Sequence, residues 1–324
     1  MEFSLSQLQA AAQQVYQSQP PTPQYSWPLL NAMLGTELWV KHENHTSTGA
    51  FKVRGGITYL QWLKQQYPEC RGIITATRGN HGQSQARAAA ALGLSATIVV
   101  PEGNSVEKNT AMRAFGAEVI TYGADFDSAR EHALALATQL DLIMVPAFHR
   151  EIVAGVASYA LELFTQVKDI DRVYVPIGCG SGICAVIAAR DALKLKTEVV
   201  GVVAENAMAA KISFDTGRIT STDSALTFAD GVAVRTPVPE AFDIYSRGAS
   251  HIVAVSDTEI ANAIRAYYTC THNIAEGAGA APLAAALQEK SGLEGKKVAV
   301  ILCGGNIDSP VMAQVLNGLT PDMG

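Results

Sequence analysis

The chain has 324 residues, 48% of them hydrophobic and 17% charged, with a formal net charge of −6. That length holds one large or two modest domains around a substantial core. The acidic balance argues against a general affinity for nucleic acid or an anionic membrane, and no stretch reaches the about 20 apolar residues of a membrane span.

The chain opens on MEFSLSQLQAAAQQ. It has no basic region followed by an apolar run, so no secretory signal is expected. Five cysteines (Cys70, Cys179, Cys184, Cys270 and Cys303) are scattered without a CxxC pair or a Cys-His zinc spacing. An odd, dispersed set fits reduced thiols in a cytoplasm.

Strands are predicted over 37–43, 72–77, 96–101, 118–123, 142–147, 172–178, 198–204, 251–256 and 297–304. Helices are predicted between most of them, among them 80–92, 106–115, 127–139 and 185–194. This alternation implies βαβ units and mostly parallel sheet. Runs such as ATIVVP and KVAVILCG are apolar throughout, as strands covered on both faces require. The stretch 216–236, which holds TFADG, breaks the alternation and reads as a long irregular connection of the kind that often carries function.

Five segments suggest chemistry. The first is TGAFKVRGG at 48–56. Lys52 stands there among small residues, directly after Phe51, where a loop turns into a helix. Its amine can form a Schiff base with an aldehyde, and a pocket that depresses its pKa makes it a better nucleophile. The second is TRGNHGQ at 77–83, again after a strand and opening a helix. Asn80 can cap that helix. Arg78 and the free amides of the helix start make a carboxylate site. A lone His81 is more often a packing residue than a catalyst.

GCGSG at 178–182 follows the strand RVYVPI. Strand, glycine loop and helix is the geometry that holds a phosphate, although a tight βα turn looks the same. With Glu205 at the end of the next strand, a dinucleotide site is the competing reading, and an NAD enzyme the competing class. LCGGN at 302–306 ends the last strand. Cys303 there is either a small buried residue or a thiol facing a ring nitrogen. EGAGAA at 276–281 reads as a turn into an alanine-rich helix, with Glu276 in a structural role.

Together, in this order and at these spacings, the segments resemble the fold-type-II pyridoxal-phosphate enzymes. That group includes threonine and serine dehydratases and serine racemase. The resemblance runs from Thr22-Pro23 to Asn306. It implies an α/β fold of two domains with mostly parallel, helix-covered sheets, similar to the tryptophan synthase β chain. The expected division is a large cofactor domain, 1–59 with 149–324, around a small inserted α/β domain, 60–148. No C-terminal regulatory domain of the kind found in biosynthetic threonine dehydratases is expected.

The resemblance implies pyridoxal 5′-phosphate on Lys52 and Phe51 beside its ring. Asn80 would meet the ring oxygen, and Gly178, Cys179, Gly180, Ser181 and Gly182 the phosphate. Cys303 would face the ring nitrogen. Thr77, Arg78, Gly79 and His81 would line the substrate carboxylate site, and no metal site is expected. The implied reaction converts a β-hydroxy amino acid, L-threonine or L-serine first, to a 2-oxo acid and ammonia in a cytoplasmic homodimer or homotetramer.

Two residues depart from the family pattern. Arg78 stands where racemases carry a serine that acts on the opposite substrate face, and arginine stays protonated. This argues against racemase activity and opens phenylserine or 3-hydroxyaspartate as substrates. Lys211 stands six residues after Glu205, where metal-binding relatives have an acidic ligand; an ammonium there can replace the divalent cation, which puts metal dependence in doubt.

Overall fold

The structure, a computed structural model, describes residues 1–322. Its strands are β1 (Gln24–Ser26), β2 (Glu37–His42), β3 (Gly72–Ala76), β4 (Ser95–Val100), β5 (Glu118–Thr121), β6 (Ile143–Met144), β7 (Arg172–Pro176), β8 (Glu198–Ala204), β9 (His251–Val255) and β10 (Lys297–Leu302). They form a six-stranded sheet, β1-β2-β10-β7-β8-β9, and a four-stranded sheet, β5-β4-β3-β6. All pairings are parallel except β1 with β2.

The nine expected strands are present, and the α/β class with helix-covered, mostly parallel sheets holds. β10 shows why its sequence is apolar throughout: Val298 to Leu302 are all fully buried. β1 was not foreseen. It is three residues long, lies between Pro23 and Pro28, and leaves Tyr25 exposed, so it carries no alternation to read. The helix after GCGSG begins at Ser181 and not at 185. Gly180 adopts φ +92°, which turns the chain in place, so the serine already stands in the first helical turn.

The helix Lys52–Gln66 is the element that positions the site. It packs against the helices Asn80–Ala91 and Arg150–Gln166. The paired glycines of TGAFKVRGG allow this. A Cβ on Gly55 would lie 2.7 Å from the Ile152 side chain, and one on Gly56 would collide with Ser84. The backbones therefore approach closely, and the Ser84 hydroxyl donates to the Lys52 carbonyl at 2.6 Å.

Beneath that helix lies a buried ionic network. The Arg54 guanidinium donates to Glu43 at 2.7 and 2.9 Å and to Glu162 at 2.6 and 3.0 Å. Lys41 Nζ donates to Glu162 Oε2 at 2.6 Å and to the Thr22 carbonyl at 2.7 Å. Two cations face two carboxylates, all four shut off from solvent. Burial works to raise the Glu43 pKa, but Arg54 and Lys41 outweigh it and hold the carboxyl below its ordinary value.

Such a network is sensitive to the loss of one member, because its partner is left buried and unpaired. Arg54→Met is therefore expected to lower the free energy of unfolding by about 3–5 kcal/mol. Chemical denaturation followed by circular dichroism measures it.

Candidate active site

Three loops at the C-terminal ends of strands, after β3, β7 and β10, meet around Lys52 with the irregular connection that holds TFADG. This is where an open α/β sheet places its ligand crevice.

Lys52 is the first residue of its helix and is partly buried. Its Nζ lies 3.0 Å from Ser181 Oγ in the GCGSG loop and 4.8 Å from the centroid of the Phe51 ring. Burial lowers its pKa, against the weaker pull of Cys179, Cys303 and Glu276. A larger share of the amine is thus neutral and nucleophilic than on a surface lysine. Phe51 is braced edge-on by Tyr159, with centroids 6.0 Å apart, and its amide donates to the Cys303 carbonyl at 2.9 Å.

The GCGSG loop has the form of an anion cradle. The amides of Gly178, Cys179 and Gly180 make no hydrogen bond among the described residues, and the helix Ser181–Ala192 adds the favourable end of its dipole. A Cβ on Gly178 would collide with the Gly231 carbonyl, and one on Gly180 would lie 2.6 Å from Ala241. The TFADG segment thus packs directly on the loop, and only glycine leaves the space open.

Asn80 is held from two sides. Its Nδ2 donates to Glu276 Oε1 at 2.7 Å, and its Oδ1 accepts from Asn306 Nδ2 at 2.8 Å. Thr77 Oγ1 accepts from the Gly79 amide at 3.0 Å. His81 Nε2 is shut away from solvent without a partner. Burial and the nearby Lys52 push its pKa down to about 3, so the ring is neutral. Arg78 is half-buried and makes no hydrogen bond or ion pair among the described residues. Cys303 is 4% exposed, and burial, with Glu276 adding to it, raises its pKa well above the ordinary value, leaving a neutral thiol.

Glu276, expected in a structural role, is a buried carboxyl in the site, bonded to Asn80 and 3.5 Å from Lys108 Nζ. Lys108 does not stand out in sequence, and the charge role of Glu276 does not either, because each takes its meaning from burial beside the other. Lys211 lies apart from this cluster. Its Nζ pairs with Asp215 at 2.9 Å, one turn along its own helix, and not with Glu205. A nearby carboxylate at that spacing captures a flexible ammonium before a more distant one can. A wide hollow of about 680 Å³ lined by Glu205, Ser221, Asp223 and Asp257 contains none of the Lys52 cluster.

Comparison with known proteins agrees with this geometry. The family described as "Pyridoxal-phosphate dependent enzyme" matches residues 15–304. The chain is 36% identical to an L-threonine ammonia-lyase of Thermotoga maritima over 290 residues, which is 89% of this chain and 72% of that protein. It is 31% identical to a biosynthetic L-threonine dehydratase of Haemophilus influenzae, covering 91% of this chain and 58% of that one. Among solved structures, maize serine racemase superposes with a TM-score of 0.91 at 25% identity, covering 98% of each chain.

The glycine loop offers a direct check on the cradle. Gly178→Val drives a side chain into the Gly231 carbonyl, and the affinity for added pyridoxal 5′-phosphate should fall by at least about tenfold. Fluorescence titration of the cofactor-free protein measures this.

Proposed function

Because this chain belongs to the pyridoxal-phosphate dependent enzymes, we propose that it is an ammonia-lyase for a β-hydroxy amino acid, with L-threonine or L-serine the first substrates. The amino acid gives a 2-oxo acid and ammonia. The water lost on elimination returns on hydrolysis, so atoms balance. The observation that carries this reading is the Lys52 amine, its pKa lowered, 3.0 Å from the serine of a glycine-rich anion loop. An NAD reading uses the loop but leaves that amine unexplained.

The residues fit the cofactor. The free amides of Gly178 to Gly180 with Ser181 and Gly182 would take its phosphate, Lys52 its aldehyde carbon, and Phe51 would flank its ring. When bound, the cofactor supplies a conjugated ring that takes up the electron pair left by the departing α-proton. Asn80 keeps one Nδ2 hydrogen beyond the one given to Glu276, enough for the ring oxygen. The Cys303 thiol is neutral, so it does not hold a full positive charge on a ring nitrogen as a carboxylate does. That suits elimination better than amino-group transfer.

Lys52, released by substrate, is the base that takes the α-proton at Nζ. Thr77, Gly79 and His81, with the first amides of the helix Asn80–Ala91, form the carboxylate seat. Neutral His81 adds polarity without charge. Arg78 favours a second reading within the same chemistry. A half-buried guanidinium with no partner among the described residues can grip a second carboxylate, as in 3-hydroxyaspartate, or stack on the ring of phenylserine. Held protonated, it cannot accept a proton on the opposite substrate face, so racemisation should be weak.

The division into 1–59 with 149–324 around 60–148, a cytoplasmic location and a homodimer or homotetramer belong to the same reading. It is supported by the separate four-stranded sheet and by free cysteines. No helix among the described residues is long and apolar enough to cross a membrane.

A 2-oxo-acid assay across threonine, serine, phenylserine and 3-hydroxyaspartate tests the substrate. Purified protein should be yellow, and borohydride should bleach it and fix the cofactor mass on Lys52. Lys52→Ala should release no 2-oxo acid; retained turnover would mean another base. Interconversion of L- and D-serine as fast as deamination would overturn the reading of Arg78.

A further inference from the structure

Asn80 has to present one N–H to the ring oxygen, and an amide side chain can sit either way round. Its surroundings decide which. A carboxylate only accepts, so an ionised Glu276 selects the Nδ2 end of Asn80, and Asn306 donates to the Oδ1 end. Asn306 is held in turn, because its Nδ2 also donates to the Thr48 carbonyl at 2.8 Å.

Glu276 is only 2% exposed. Its backbone amide donates to the Gly304 carbonyl at 3.1 Å. Its Oε2 has no hydrogen-bond partner, and Lys108 Nζ lies 3.5 Å from it. Lys108 comes from the helix Val106–Ala114, which follows β4 in the four-stranded sheet. It also donates to Asp230 Oδ2 at 2.5 Å in the TFADG segment. Its aliphatic stem lies against Gly79, where a Cβ would collide with it. One lysine, 5% exposed, therefore ties the four-stranded part of the chain to two carboxylates of the remainder.

We propose that Lys108 and Glu276 form a positioning relay: Lys108 anchors Glu276, and Glu276 fixes the orientation of the Asn80 amide toward the cofactor. The clamp on Asn80 is complete only when the four-stranded part lies against the rest, so it links closure of the site to alignment of the ring. The inference rests on the cofactor assignment above.

The charges facing Glu276 are Lys108 from its helix, Asp230 from the TFADG segment and Lys52 from the helix below, with the Asn80 amide and the neutral Cys303 thiol beside it. Burial pushes the Glu276 carboxyl up to about 7, with Asp230 adding to it and Lys108 pulling it back. Protonation below that pH gives Glu276 a donor and frees the Asn80 amide to turn.

Spectral titration of the holoenzyme tests the relay, with the visible band of the bound cofactor followed against pH. The wild-type band should change with a midpoint near 7. Glu276→Gln cannot titrate, so that transition should vanish. Lys108→Met removes the nearby positive charge and should move the midpoint up by about one pH unit. Glu276→Ala should lower kcat by about tenfold with KM little changed.

An unchanged midpoint in Glu276→Gln, or an unmoved one in Lys108→Met, would overturn the relay. If Glu276→Ala does not fold, those two variants decide. Colourless wild-type protein would sink the cofactor assignment instead. The ionisation of Glu276 is then read from thermal unfolding of the cofactor-free protein. A raised native pKa gives stability that is full below about 4.5 and lost as pH rises through about 7. Glu276→Gln should flatten that slope.

Discussion

The placement of the Lys52 amine rests first on Arg54. It stands two residues after Lys52 on the same helix, and its guanidinium is clamped between Glu43, which follows β2, and Glu162 of the helix Arg150–Gln166. A bidentate fork on buried carboxylates tolerates little rotation. The helix start is therefore held in azimuth as well as in place, and Lys52, whose carbonyl accepts from Ser84, is aimed at Ser181. Lys41 fills out the charge balance by donating to Glu162. Four ionised groups in an apolar core are a poor source of stability relative to hydrophobic packing. Their use here is orientation.

The second constraint is steric. Helices pack across Gly55 and Gly56, and the anion loop packs under Gly231 at Gly178. In both places glycine lets backbone take the room that a side chain would fill. The result is a rigid floor beneath Lys52 and a rigid rim beside it. The wall made by Asn80, His81 and Lys108 belongs to the four-stranded sheet and its helices. A serine racemase superposes on this fold with a TM-score of 0.91, and a fold of itself does not set the reaction, which lives in the side chains of the site.

Most of the strand pattern was legible because strands buried on both faces are apolar throughout, and that composition is local. The exceptions are informative. β1 is too short to show a period, and the helix at Ser181 starts early because a glycine with positive φ makes the turn that was expected to take several residues. Lys211 lies one turn from Asp215 on its own helix and pairs with it.

Lys52, Phe51, Asn80, the glycine loop and Cys303 could be picked out from sequence as candidates, and the structure brings them together. Each sits in a short segment whose neighbours are small residues at a strand end or a helix start. The kind of chemistry proposed was thus legible in the chain itself. Glu276 and Lys108 could not be read this way. Asn80 and Glu276 are 196 positions apart, and the behaviour of Glu276 comes from desolvation and from an ammonium brought in from the other sheet. Electrostatics of that kind depend on distance and on the exclusion of water, neither of which exists until the chain has folded. Tertiary structure alone decided how the cofactor's neighbours are held, and which charges hold them.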